Sequence, residues 1–133
     1  MIRVLVVEDD PYNALLFRKL LERRGGCSVT VTESAEEILD VVRGGAVDLV
    51  IMDVSLANTV WQGAPVNGIE LCRILKGDAA TAGVPVVLAT AHAMRGDAEA
   101  FVRQSGAEGY VSKPILDHAA FIEQVQSIAR KAA

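Results

Sequence analysis

Acidic side chains follow two apolar runs of this sequence. The first run, residues 2–7, is followed by three acids at positions 8–10, and a later run, residues 47–52, is followed by Asp53. Two buried strands that both end in carboxylates gather negative charge in a small space. Like charges at short range repel strongly unless a cation neutralises them. The sequence therefore predicts a cation-binding site formed by these acids.

Polar side chains also follow two further apolar runs. Thr90 follows residues 84–89, and Lys113 follows residues 109–112 and precedes Pro114. Together, the four runs would supply carboxylates, a hydroxyl and an ammonium group at their ends. Such a set suits the binding of a hard divalent metal together with a phosphoryl group.

Composition and charge limit the class of protein. With 133 residues, 51% of them apolar, the chain can bury a sizeable core, and we expect a single domain over residues 1–133. The net charge of −4 argues against a nucleic-acid partner, which normally requires a basic face.

The N-terminus and the cysteines indicate the cellular setting. The first apolar stretch has only six residues and is followed by acids, which indicates a strand and not a signal peptide or a membrane span. Cys27 and Cys72 are too few, and too far apart in sequence, for a disulfide framework or a zinc site. We therefore expect a cytoplasmic protein that does not bind membranes.

Short apolar runs alternate with longer amphipathic segments, a pattern typical of βα units around a parallel sheet. Cap residues precede four of the amphipathic segments, namely Asp10, Ser34, Asn67 and Asp117. A weaker helical segment spans about residues 97–105, before Gly106. The pattern predicts five strands and five helices without a second domain.

Two finer features of the helices are also predicted. Ser34 and Glu37 have the spacing of a capping box, and Asn67 and Glu70 share that spacing. The first helix should bury an apolar stripe that consists of Leu16, Phe17, Leu20 and Leu21.

The polar residues all fall where a parallel α/β sheet binds its ligands, beyond the carboxyl ends of its strands. With these residues in this order, the whole chain resembles the receiver domain of two-component response regulators. The resemblance implies a flavodoxin-like fold, which is a doubly wound α/β structure with a five-stranded parallel sheet of order 2-1-3-4-5 and five helices. It also implies a phosphorylation-controlled signalling module and not an enzyme with its own substrate.

The resemblance assigns the acids to phosphoryl transfer and metal binding. Asp53 corresponds to the phosphoacceptor. Glu8 and Asp9 correspond to the paired acids that hold Mg²⁺, or Mn²⁺ in its place, with Asp9 as the direct ligand and Glu8 acting through water. Ser55, two residues after the phosphoacceptor, would offer its backbone carbonyl to the metal.

The resemblance also assigns the remaining polar side chains. Lys113 corresponds to the lysine beside the phosphoryl group, Thr90 to the switch hydroxyl and Tyr110 to the switch aromatic. A carboxylate can take the phosphoryl group of a phosphohistidine to give an aspartyl phosphate. The implied partner is therefore a histidine kinase or a histidine phosphotransfer protein, while the downstream protein partner stays unidentified. His92 and His118 are expected to face solvent.

The same residues allow several alternative interpretations. A stand-alone receiver is the leading interpretation, and a receiver excised from a longer response regulator or hybrid kinase is the alternative. A Mg²⁺-dependent phosphohydrolase would usually carry an aspartate where Ser55 stands. A flavin-binding carrier needs an uncharged loop after the first strand, and the acids at positions 8–10 would repel the cofactor phosphate. A receiver that signals without phosphate is disfavoured because the polar site positions are intact.

The segment after the third strand departs from the family pattern. Receivers usually place a glycine at the start of the third helix about eight residues after the phosphoacceptor, whereas Gly68 lies fifteen residues after Asp53. The insertion, residues 55–66, contains Trp61, the only tryptophan. Two hypotheses remain open. Trp61 contacts a partner protein, or it packs on the surface of the third helix and anchors the loop.

Overall fold

The computed structural model describes residues 1–91 and 96–133. Its elements in chain order are β1 (Arg3–Val7), α1 (Pro11–Gly25), β2 (Ser28–Thr32), α2 (Ala35–Arg43), β3 (Leu49–Asp53), β4 (Val60–Trp61), β5 (Ala64–Pro65), α3 (Gly68–Lys76), β6 (Val86–Thr90), α4 (Asp97–Ser105), β7 (Gly109–Ser112) and α5 (His118–Ala132). Five strands form one parallel sheet in the order β2-β1-β3-β6-β7. This confirms the predicted flavodoxin-like order, because β6 and β7 are the fourth and fifth strands of the sheet.

Helices cover both faces of the sheet. Because successive strand residues point to opposite faces, Val4 and Val6 belong to a core with α1 and α5, and Leu5 and Val7 belong to a core with α2 and α3. Phe17 of α1 and Phe121 of α5 meet in the first core, with their ring centroids 5.8 Å apart. No helix of the described part of the chain is long and apolar enough to cross a membrane.

The predicted caps start the helices, with one difference. Asp10 and Asp117 accept hydrogen bonds from the first-turn N–H groups of α1 and α5, and Asn67 and Glu70 form the complete capping box. Before α2, Ser34 accepts from the N–H of Glu37, as predicted, at 3.2 Å. The other predicted hydrogen bond of this capping box, from the Ser34 N–H to the Glu37 side chain, is wrong. The Ser34 N–H donates to the Thr32 hydroxyl instead, and that hydroxyl donates to Glu37.

The predicted buried stripe of α1 is partly wrong. The buried positions are Ala14, Phe17 and Leu21, which recur at the spacing of one helix face. Leu16 lies about 100° around the helix from Phe17 and is 46% exposed. Leu20 is half-buried at the edge of the core. The correction leaves an exposed leucine on a face of α1 that the sheet does not cover.

The insertion folds into a small hairpin that the sequence pattern did not predict. β4 and β5 pair antiparallel, with Val60 opposite Pro65 and Trp61 opposite Ala64. The two residues between these strands, residues 62 and 63, have positive φ values of 52° and 84°. Positive φ at both central positions is the conformation of a tight two-residue hairpin turn.

The two ends of the insertion meet beside the end of β3. The Gly68 N–H donates to the Val54 carbonyl at 3.1 Å, so the neck of the insertion is closed beside the end of β3. A Cβ atom at position 68 would overlap the carbonyl oxygen of Asp53. Only glycine therefore allows α3 to begin this close to Asp53, and the insertion loops out without moving α3.

We predict that Gly68→Ala lowers the unfolding free energy by roughly 1–3 kcal/mol, because β3 and α3 must separate to admit the methyl group. Gly83→Ala is the matched control, since nothing lies within 4 Å of a Cβ at that position. The control should stay within about 0.5 kcal/mol of the unmodified chain. Urea unfolding measures both, and equal effects of the two substitutions would contradict the close-contact argument.

Candidate functional site

Three predicted acids meet at the carboxyl edge of the sheet. Glu8 follows β1 directly, and Asp53 is the last residue of β3, the neighbouring strand. Each of Glu8, Asp9 and Asp53 offers a carboxylate oxygen, and these oxygens lie within 4.8 Å of one another. Glu8 and Asp53 are buried, at 4% and 3% exposure. The structure thus brings together the acids that the sequence predicted as a cation site.

Lys113 brings a positive charge to this cluster. Its Nζ lies 3.0 Å from Asp53 Oδ1 and 3.5 Å from both carboxylate oxygens of Glu8. Its backbone N–H donates to the Thr90 carbonyl at 2.9 Å, which continues the β6–β7 pairing past the last residue of β7. The cluster thus contains three carboxylates and one ammonium group, so its acidic groups outnumber its basic groups.

The surroundings of Glu8 change its ionisation. Its pKa is raised from the ordinary value of 4.5 to about 7, chiefly by burial and next by the negative charge of Asp53. Lys113 and a hydrogen bond with Asn13 act in the opposite direction without offsetting the rise. The charged form of a buried carboxyl group beside another negative charge is stabilised by any additional cation that can approach it.

Backbone N–H groups of the loop after β3 hold two of the acids. The Ser55 N–H donates to Asp53 Oδ1 at 3.1 Å, and the Ala57 N–H donates to Asp9 Oδ2 at 2.7 Å. Asp9 is half-buried and Ser55 is exposed. The contact between Ala57 and Asp9 could not be predicted from residue types, because its donor is a backbone group.

The donor set fits a hard divalent cation. Three carboxylates supply only oxygen ligands, which Mg²⁺ and Mn²⁺ prefer, whereas zinc and copper sites typically include nitrogen or sulfur. The two cysteines are buried elsewhere, in the cores on either face of the sheet.

Of the two predicted switch residues, Thr90 lies next to this cluster in the sheet and Tyr110 lies on β7, facing α4. Thr90, the last residue of β6, is 1% exposed and directly follows Ala89, the register partner of Asp53. Tyr110 on β7 is half-buried, and its hydroxyl donates to Glu99 of α4 at 3.1 Å. That hydrogen bond raises the pKa of Tyr110. His92 lies outside the described residues, and His118 is exposed, as predicted.

The tryptophan of the insertion is partly covered. Trp61 is half-buried and packs against the core on the α2 and α3 face of the sheet, and β4 lies against α2. Its neighbour Val60 is 48% exposed. Trp61 therefore helps to anchor the hairpin on this face of the sheet. Its packing on the surface of α3 stays a prediction. A partner-binding role of Trp61 stays a prediction.

A groove next to Lys113 was not predicted from the sequence. It has a volume of about 260 Å³ and lies between α1 and the chain from Lys113 to His118. Its apolar lining includes Leu16, Leu20 and Ile115, and its charged lining residues are all basic: Lys19, Arg23, Arg24 and Lys113. Leu16, whose exposed position breaks the predicted buried stripe, is one of the α1 residues that line this groove.

Comparison with known proteins identifies a single family. Residues 4–126 match the model of the response regulator receiver domain. The chain is 40% identical over 124 residues to the polar-differentiation response regulator DivK of Brucella ovis, and the match covers 93% of each chain. The Brucella anthropi protein of the same name matches with the same identity and coverage.

Solved structures show the same architecture. A sensor protein from Polaromonas superposes with a TM-score of 0.81 at 26% identity, over 99% of this chain and 98% of that one. A CheY-like receiver domain protein from Methanospirillum hungatei superposes with a TM-score of 0.78 at 21% identity, over 99% and 96% of the two chains. At that identity the second match supports the fold alone.

The raised pKa of Glu8 predicts that stability of the metal-free protein decreases with pH. Because the folded-state pKa of about 7 exceeds the ordinary 4.5, the folded protein binds this proton more tightly than the unfolded chain does. The resulting stabilisation is full below the ordinary pKa and is lost as pH rises through the folded-state value. Glu8→Gln stays neutral and should lack this decline.

Urea unfolding in the presence of a chelator, from about pH 5 to about pH 8, measures the effect. Glu22→Gln, at an exposed position of α1, is the matched control and should decline like the unmodified chain. An equal decline in Glu8→Gln would show that Glu8 is not its source.

Proposed function

The chain belongs to the response regulator receiver family, and from this premise we propose that it accepts a phosphoryl group on Asp53 and signals through altered partner binding. The observation that carries the proposal is the placement of Lys113 Nζ 3.0 Å from Asp53 Oδ1, with Glu8 and Asp9 in the same cluster. We extend the proposal to residues 1–133 as one receiver domain, which the single five-stranded sheet supports.

The proposed reaction is the transfer of a phosphoryl group from a phosphohistidine. An oxygen of Asp53 forms a bond to phosphorus, the phosphorus–nitrogen bond breaks, and the histidine nitrogen keeps the electron pair. The side chain of Asp53 is held by Lys113 and by the Ser55 N–H, so the nucleophile is fixed before the donor arrives. Positioning and charge neutralisation are the main sources of catalysis in such transfers, and the chain would thereby assist its own phosphorylation and dephosphorylation.

The charges of the site match the charge of the transferred group. Lys113 remains next to the carboxylate that becomes the aspartyl phosphate. Glu8, Asp9, Asp53 and the backbone carbonyl of Ser55 would hold Mg²⁺, or Mn²⁺ in its place. A bound divalent cation supplies the positive charge that one lysine does not provide for three acids and an incoming phosphate.

We place the signal output at Thr90 and Tyr110. The buried position of Thr90 near Asp53 would let its hydroxyl bind a phosphoryl oxygen. The hydrogen bond from Tyr110 to Glu99 holds the aromatic ring toward α4 in this conformation. An inward turn of Tyr110 would break that bond and change the surface formed by α4 and β7, which a downstream protein could read.

We place the phosphoryl donor at the groove beside Lys113. The donor has to reach Asp53, and Lys113 connects that carboxylate to the groove. Apolar walls with basic residues suit a helix that carries apolar and acidic side chains. A histidine kinase or a histidine phosphotransfer protein that presents such a helix is the partner proposed for this groove. Trp61 and the exposed Val60 next to it are proposed as a separate contact that affects partner choice.

Phosphoryl acceptance should require Asp53 and a divalent cation. Acetyl phosphate with Mg²⁺ should add one phosphoryl group to the unmodified chain, detected by intact mass. Asp53→Asn and chelation should each abolish the added mass, because one removes the nucleophile and the other removes the neutralising charge. Asp48→Asn, whose side chain pairs with Arg3 at the opposite end of the strands, should be labelled normally. Labelling of Asp53→Asn would refute the assignment.

Leu16 should matter for transfer from a protein donor and not from a small one. Leu16→Ala removes apolar surface from the groove, and we expect about tenfold slower transfer from a phosphohistidine protein chosen for its activity on the unmodified chain. Leu15→Ala is the matched control, because Leu15 is on the same helix at 48% exposure and does not line the groove. Acetyl phosphate labelling should be unchanged in both variants. Equal slowing by both would argue against docking in the groove.

A further inference from the structure

We propose that Thr59 is a positioning residue for the metal ligand Asp9 and that it acts through the backbone of the insertion. The inference rests on the proposed function, because it assumes that Asp9 binds a divalent cation. It concerns a segment that the usual receiver pattern lacks, and it assigns that segment a role in the site itself.

The first step is the contact between the insertion and Asp9. The Ala57 N–H lies 2.7 Å from Asp9 Oδ2, a short distance for a hydrogen bond of this type. An N–H on one oxygen fixes the rotation of the carboxylate and leaves the other oxygen available to a cation. Outer contacts of this kind orient metal ligands in proteins generally.

The second step is what holds Ala57 in place. Ala57 is exposed, but its neighbour Leu56 is buried at 8% exposure and Thr59 is buried at 4%. The Thr59 hydroxyl donates to the Glu33 carbonyl, in the turn before α2, at 2.9 Å. Two buried side chains therefore bracket the N–H that contacts Asp9, and one of them is fixed to the body of the fold by a directional bond.

The third step is that the same residue closes the hairpin. The Val66 N–H donates to the Thr59 carbonyl at 3.0 Å, so Thr59 joins the outgoing and returning halves of the insertion. Loss of the hydroxyl would release this junction from the β2–α2 turn. The segment that carries Ala57 would keep the packing of Leu56 and Trp61 but lose its hydrogen bond to that turn, so the N–H donor to Asp9 would be held less firmly.

A purely structural role of Thr59 predicts that loss of its hydroxyl lowers stability without a specific effect on Mg²⁺ binding. Thr81 offers a matched comparison. Thr81 is also buried, at 1% exposure, and its hydroxyl donates to the Leu75 carbonyl at 2.6 Å. It lies in the turn that follows α3 and is not part of the acidic site. Thr59→Val and Thr81→Val remove the same kind of hydrogen bond, so they should have similar effects on stability and different effects on Mg²⁺ binding.

The experiment is calorimetric titration of the full chain with Mg²⁺. Thr59→Val should weaken Mg²⁺ binding by about tenfold, as expected for loss of an outer contact to a metal ligand. Thr59→Ser, which keeps the hydroxyl, should restore most of the affinity, and Thr81→Val should bind like the unmodified chain. Thermal unfolding of each variant shows whether the fold is retained.

Ala57→Pro provides a second test should Thr59→Val unfold, because it removes the N–H itself and leaves Thr59 intact. It should also weaken Mg²⁺ binding by about tenfold. Unchanged Mg²⁺ affinity in folded Thr59→Val, or in folded Ala57→Pro, would overturn the inference. Failure of the proposed function would appear separately, as an unmodified chain that binds Mg²⁺ but is not labelled on Asp53 by acetyl phosphate.

Discussion

The site depends on the ion pair between Lys113 and the buried acids. Asp53 and Glu8 are nearly inaccessible to solvent, and two carboxylates so close together repel each other unless a cation lies between or beside them. Lys113 contacts both acids, and its backbone is fixed by the Thr90 carbonyl. Lys113 does not offset the effects of burial and of the Asp53 charge, which together raise the pKa of Glu8. The excess of negative charge in the cluster supports the proposed binding of a divalent cation and, through that cation, of a phosphoryl group.

The order of the strands produces this arrangement. β3 lies at the centre of the sheet between β1 and β6, so its last residue is flanked by the ends of both neighbours. Short side chains at those ends reach the space above Asp53, while Lys113 comes from β7, one strand further away. A long, flexible side chain suits that position because it spans the extra strand. A lysine side chain can thus reach Asp53 from the more distant strand end, as its 3.0 Å contact with Asp53 Oδ1 shows.

Local chemistry was predictable from the sequence, and non-local backbone contacts were not. Asp10 marks the start of α1 because capping depends on neighbouring residues. The strand order came from family resemblance, since periodicity does not specify it. Leu16 was misplaced because adjacent large apolar residues blur the helical phase. The hairpin was missed because Gln62 is an unusual residue at positive φ. The bond from Ala57 to Asp9 has a backbone donor, so no residue type indicates it.

The insertion contacts the acidic cluster, and its two ends meet beside the end of β3. Gly68 returns the chain to the end of β3, close to Asp53. The contact with Asp9 connects the loop to the acidic cluster, where the proposed metal would bind. Binding linkage is reciprocal: if the position of the loop changes metal affinity, then metal occupancy changes the affinity of anything that binds the loop by the same factor. A partner on the hairpin would therefore sense the loaded site by a route separate from Thr90 and Tyr110.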